Sequence, residues 1–275
     1  MLNSSVNKGV KIFVFFMVLM VPFVSFAADK QHDKGPGYKY NEAESLIFGL
    51  LHMDNVDFGH TLKYSFERKG VFGDDFKDRI EMDVSKGEGE NNKSVAFHFF
   101  SGKHRRPYPP FGFVSANPLL TLYFNKDAWD LARKIKAKGT ANFLRNRVVD
   151  GISKVKKIET AECSYDGKKH AAKKISFRPF FGNESSHHLV HYALTEYQIT
   201  ISETIPGGVC EITSVVPQHV GGVPDHIAKK IKSAGMIQLG AEIDKVNTLK
   251  DVKAPLLTET LKFVGVSKTA LAKNA

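Results

Sequence analysis

The residues whose types and spacing best suit chemistry are three histidines, His187, His188 and His191. On a helix His187 and His191 share a face at i, i+4 spacing, which suits two imidazole ligands to a metal ion. The zinc-protease pattern also needs a glutamate between its histidines as general base, and Leu189 and Val190 stand there instead. The cluster reads either as an adventitious or regulatory metal site or as solvent-exposed loop histidines. The G-x-S-x-G nucleophile turn and the glycine-rich phosphate motifs are both missing, so no catalytic residue and no cofactor is indicated.

A second constellation is the run Lys103-His104-Arg105-Arg106-Pro107-Tyr108-Pro109-Pro110-Phe111. Arginine next to Tyr and Phe can grip a phosphate or carboxylate while the rings pack on an apolar group. In that reading Arg105, Arg106, Tyr108 and Phe111 form a binding rim, and Arg145 and Arg147 add charge. The competing reading is structural: the prolines fix the exit from a strand, and Phe111 and Phe113 plug a core. The two cysteines, Cys163 and Cys210, read as one disulfide in an exported chain, with buried free thiols or a metal pair as alternatives.

Charge points to anionic partners. The chain carries a net +10, and the stretch 126–174 holds fourteen basic residues against six acidic ones. Such a field attracts phospholipid headgroups, anionic glycans or acidic proteins. A solvated lysine-rich helical face explains it equally well. Lys8 and Lys11 precede an apolar run over 12–21, Pro22 breaks it, and Ser25-Phe26-Ala27-Ala28 supplies small residues. These are the parts of a secretory signal, predicting cleavage near Ala27 and a periplasmic or secreted protein. The run is about half the ~20 apolar residues of a spanning helix; an uncleaved anchor is the alternative. No transmembrane segment is expected in the mature chain, and nucleic acid is not an expected partner outside the cytoplasm.

The elements that must position these residues follow from periodicity. Leu62, Tyr64 and Phe66 alternate with Lys63, Ser65 and Glu67, and Ile80, Met82 and Val84 with Arg79, Glu81 and Asp83. With 94–100 they predict a β-meander that has one wet face. Asn117-Pro118 starts a helix, Asp127 can cap a second through Lys136, and Thr140 a third carrying Phe143, Leu144, Val148 and Ile152. Strands return at 161–165 and 172–180 around the Asp166-Gly167 turn, then at 194–202 and 209–216. The fold class is therefore α+β: a mainly antiparallel, curved, half-barrel-like sheet with a helical insertion at about 117–153 packing on one face. The expected organisation is a signal peptide over 1–27, a loose leader over 28–44, the β domain over 45–217 and a partly disordered extension over 218–275. Within that extension 225–233 reads as a short basic helix.

Two stretches carry a resemblance: S-G-K-H-R-R-P-Y-P-P-F over 101–111 with Asn117-Pro118-Leu119-Leu120, and Ile205-Pro206-Gly207-Gly208-Val209. They resemble an uncharacterised family of exported, periplasmic bacterial proteins over roughly 45–217, which implies a compartment and no chemistry. More distantly, the architecture is similar to the half-barrel of LolA-like lipoprotein carriers. Three functions follow as expectations. The first is a non-enzymatic binding or envelope-associated protein whose apolar concavity or covered sheet face holds a lipid-like, anionic or protein ligand. The others are a metal-dependent hydrolase using His187, His188 and His191, and a structural partner in an envelope complex.

Overall fold

The computed structural model describes residues 38–269 except 90–91, 113, 136–139, 181–188, 219–224, 236 and 249–253. The expected signal peptide, His187, His188 and Phe113 lie outside the described residues. The expected loose leader reaches to 44, yet its end is tied down. Asn41 and Glu44 form a capping box on the short helix α1 (Glu42–Glu44), and Asn41 Nδ2 also donates to Ser153 O at 2.8 Å.

An eight-stranded antiparallel sheet in the order β3-β2-β1-β8-β7-β6-β5-β4 forms the body of the domain. The expected meander is β1 (His60–Gly70), β2 (Phe76–Lys86) and β3 (Lys93–Phe99). The second group is β4 (Glu159–Tyr165), β5 (Lys168–Phe177), β6 (Glu196–Ile201) and β7 (Val209–Val216). The two groups become one sheet through β8 (Leu257–Lys268), which lies between β1 and β7. The sheet thus continues past 217, and residues 257–268 supply a central strand. Leu257, Glu259, Leu261 and Phe263 face inward on it in clean alternation. Glu259 in an otherwise apolar row is what hides the strand from a hydrophobicity pattern.

The sheet curls strongly. Cys163 on β4 and Cys210 on β7 form a disulfide with a Cα–Cα distance of 6.2 Å. In a flat sheet, strands three places apart would stand roughly 14 Å from each other. The Tyr165 ring also reaches across to within 5.1 Å of the Phe263 ring on β8.

The concave face is covered by α2 (Pro118–Ile135) and α3 (Thr140–Ser153), as expected of the insertion. The expected break at Asp127 is absent, because α2 runs unbroken through it. Asn117 caps α2 through its Oδ1 on Leu119 N at 3.0 Å, while its Nδ2 donates to Gly207 O at 2.7 Å and Tyr64 Oη at 3.2 Å. Gly207 and Gly208 have φ of 75° and 72°. A Cβ on Gly207 would come within 2.7 Å of Leu62, and one on Gly208 within 2.6 Å of His52. The Pro-Gly-Gly turn and the Asn-Pro helix start, far apart in sequence, therefore lock together. α4 (Asp225–Ser233) lies where expected, and α5 (Ile237–Thr248), which contacts α2, was not foreseen.

Replacing Cys163 and Cys210 with serine should lower stability by about 2–4 kcal/mol, since the bridge spans 47 residues of chain. Chemical denaturation of the double variant against the oxidised parent measures this, and equal midpoints would show that the curl does not depend on the bridge.

Candidate functional site

The inner face of the half-barrel buries a charged network within its apolar core. Leu119, Leu122, Tyr123 and Lys126 recur at helical spacing, so the apolar stripe of α2 carries a lysine into the sheet. The Lys126 side chain is 1% exposed and pairs with Asp127 at 2.7 Å and with Glu259 of β8. Arg68 of β1 pairs with the same Glu259. Tyr197 donates to Asp127 Oδ2 at 2.9 Å. Asp130, one turn on, accepts from Arg106 at 2.7 and 2.9 Å and from Arg133. At the end of α2, Lys134 bonds Glu242 of α5 and the Tyr192 hydroxyl, and Tyr192 donates to Glu242 at 2.9 Å.

Burial alone would push the Lys126 ammonium toward neutrality, yet Asp127, Glu259 and Asp130 outweigh it and hold its pKa above the ordinary value. Glu259 experiences the same contest: burial raises its pKa, Lys126 and Arg68 lower it, and the result is about 2. Asp127 goes the other way. Burial is the larger effect, Glu259 adds to it, and Lys126 only partly offsets it, so this carboxyl rises to about 7.

Two connected spaces surround this network. An inner cavity of about 280 Å³ lies between α2 and the sheet, lined by Asp127, Glu259, Tyr192, Tyr197 and Thr195, among others. Thr195 is buried, and its hydroxyl has no hydrogen-bond partner among the described residues. An outer groove of about 440 Å³ shares Arg68, Arg106, Lys126 and Arg133 with the cavity. Its remaining lining is Phe76, Phe100, Lys103, His104, Arg105, Pro107, Tyr108 and Trp129, with no acidic side chain. The wall is rigid: His104 stacks on Phe76 at 4.0 Å, and Tyr108 meets Phe99 edge-on at 5.2 Å. Phe100 holds φ of 63°, a backbone strain unusual for an aromatic residue. Trp129 is 60% exposed on the rim.

The predicted site residues separate under this geometry. Arg105, Arg106 and Tyr108 line the groove together. Arg106 is half structural, since it neutralises Asp130 and its backbone bridges to Phe99. Phe111 packs on Phe97 at 5.6 Å and pairs with Val95, which is the plug reading. Arg147 lines a different groove. Arg145, on the same helix, is half-buried and does not line the Arg105 groove. His191 is fully buried against Phe72, with ring centroids 5.2 Å apart, and so is not an exposed loop histidine. Among the described residues no three His, Cys, Asp or Glu side chains gather as metal ligands. α2 covers the concave face, and the cavity left beneath it mixes apolar side chains such as Phe72, Leu131, Phe180 and Leu257 with Lys126, Asp127 and Glu259. Sequence reasoning missed Lys126, Glu259, Arg68, Arg133 and Trp129. The signal for Lys126 was its place on the apolar stripe of a helix read as two.

No family model matches the chain, and no curated protein matches it. Among solved structures, a LolA superfamily protein from Nitrosomonas europaea aligns over 83% of this chain and 94% of that one, with 7% identity and a TM-score of 0.21. A likeness of that size carries no argument about fold or role. No described helix is long and apolar enough to cross a membrane.

Lys126→Met should destabilise the protein by about 3 kcal/mol, because it leaves Glu259 and Asp127 buried without their shared cation. Adding Glu259→Gln should recover part of that loss, and strictly additive denaturation energies would show the two groups uncoupled.

The pH dependence follows from the two carboxyls. Asp127, raised to about 7, contributes stability that is full at low pH and is lost as pH rises through that value. Glu259, lowered to about 2, contributes stability present above its ordinary range and lost in strong acid. The melting temperature should therefore fall between about pH 4 and about pH 7, and Asp127→Asn should flatten that fall. A parent with an equally flat profile would refute the assignment to Asp127.

Proposed function

We propose that this protein is an exported, periplasmic or secreted binding protein that takes up a small anionic amphiphile without covalent chemistry. The observation that carries the reading is the outer groove: arginines and lysines share a rigid wall with Phe76, Phe100, Tyr108 and Trp129, and no acid lines it. Of the carboxylates that balance part of this charge, Asp130 and Glu259 lie along the inner cavity, and the exposed Asp74 stands 3.6 Å from Lys103. A phosphate or carboxylate seated on Lys103 and Arg105 gains charge-assisted hydrogen bonds, and the rings offer an apolar body a flat surface.

Size narrows the ligand. Ligand pockets usually span about 300–1,000 Å³, so the groove at about 440 Å³ is of ordinary size and the inner cavity at about 280 Å³ falls just below. A single-chain amphiphile or a lone headgroup suits these dimensions better than a lipid with several chains. The disulfide is consistent with an oxidising compartment, and the charged segment with an anionic environment.

Trp129 is the chain's one tryptophan and stands in the groove, so its fluorescence reports occupancy directly. Titration with dodecyl phosphate should shift its emission, while dodecyl maltoside, with an uncharged head, should not. Lys103→Ala with Arg105→Ala should weaken dodecyl phosphate binding about tenfold or more and leave the melting temperature unchanged, since both side chains are exposed. Equal response to the charged and uncharged amphiphiles would overturn the reading.

A further inference from the structure

Six of the fourteen basic residues between 126 and 174 are already matched by acidic side chains. Lys126, Arg133, Lys134, Lys169, Lys173 and Lys174 all pair with acidic side chains. Lys154, Lys156 and Lys157 are exposed and make no ion pair among the described residues. They stand together just past α3 and line a groove of about 710 Å³ with Arg147 and Arg178. Glu196 is the acid in that lining, and it is paired with Arg178 at 2.9 Å.

The lysines are not there to cap the helix. The last carbonyls of α3 find partners elsewhere: Asp150 O accepts from Ser153 Oγ at 2.9 Å, and Gly151 O and Ile152 O accept from the amides of Lys154 and Val155. Ser153 O accepts from Asn41 Nδ2. With these carbonyls satisfied, the helix end does not claim the ammonium groups beside it. Gly151 lets the end of β5 close in, since a Cβ there would sit 2.9 Å from Phe177 and 3.1 Å from Pro179. That approach brings Arg178 alongside Arg147, whose Nε is buried with no hydrogen-bond partner among the described residues. One turn before Arg147 on the same helical face stands Phe143, 51% exposed.

We propose that this end of α3 is a docking surface for an anionic bilayer, with Lys154, Lys156, Lys157 and Arg147 meeting lipid phosphates and Phe143 entering the headgroup layer. Lysines on long mobile stems suit a fluid layer of phosphates, and each such charge adds to the attraction. A protein partner fits less well, because lysine is depleted at the centres of protein interfaces. The proposal rests on the exported reading to place a membrane leaflet within reach. It concerns a surface distinct from the amphiphile groove.

The test is co-sedimentation of the protein, purified in the form its own cells hold, with phosphatidylglycerol–phosphatidylcholine vesicles and with pure phosphatidylcholine vesicles. Binding should require phosphatidylglycerol and weaken with salt. Replacing Lys154, Lys156 and Lys157 together with Gln should lower the partition coefficient about a hundredfold. That variant should keep the parent's melting temperature and its dodecyl phosphate titration, and Phe143→Ser should weaken binding further. Lys103→Ala with Arg105→Ala should sediment like the parent. Unchanged sedimentation of the triple variant overturns the proposal, as does equal binding to uncharged vesicles or loss of binding in the groove variant. A failed dodecyl phosphate titration with vesicle binding intact counts against the groove alone.

Discussion

An ammonium group inside a half-barrel is stable only while carboxylates stay within reach, and this requirement organises the domain. Lys126 enters on α2, and its partner Glu259 comes from β8, 133 residues later. Meeting it fixes the depth of the helix in the sheet, the register of the last strand and the rotamer of Arg68. The network also sets what the interior can accept. Removing two charges from water costs several kcal/mol each, which only close pairing recovers. Hydrocarbon pushed between Lys126 and Glu259 would forfeit that recovery, so the charged centre acts as a floor beneath the groove.

Much of the scaffold was legible because it obeys simple periods. The alternation of Leu62, Tyr64 and Phe66 announced β1, and the Asp166-Gly167 turn, with φ of 51° and 69°, announced the β4–β5 hairpin. Asn117-Pro118 marked the start of α2 to the residue. What stayed hidden shares one cause. Lys126 interrupts the apolar stripe of a helix and Glu259 the apolar row of a strand, and each makes sense only beside the other. Taken singly, they split α2 in two and turned β8 into a tail. Of the site, the Arg105–Tyr108 rim was readable from composition, whereas Trp129 and Arg68 reach the groove through tertiary packing that local patterns do not contain.

The Arg-Arg-Pro stretch, the Asn-Pro helix start and the Pro-Gly-Gly turn acquire a physical meaning together. Residues 101–111 leave β3, wall the groove and return to bridge Val95 through Phe111. Asn117 then seats α2 by bonding Gly207. These are consecutive parts of one device: a rim, a helix start and the turn that receives it. Together they bring a basic aromatic wall and a buried lysine to one groove.

The position of β8 has a consequence for how the chain comes into being. Two meanders, each with an edge that needs β8, wait for the strand that joins them, and that strand follows both in the chain. Pairs such as Arg68 with Glu259 close a loop of 191 residues, the kind of distant contact that slows folding. Until β8 is in place the two meanders share no ladder, so the curl of the sheet and the burial of Lys126 are completed in the same step.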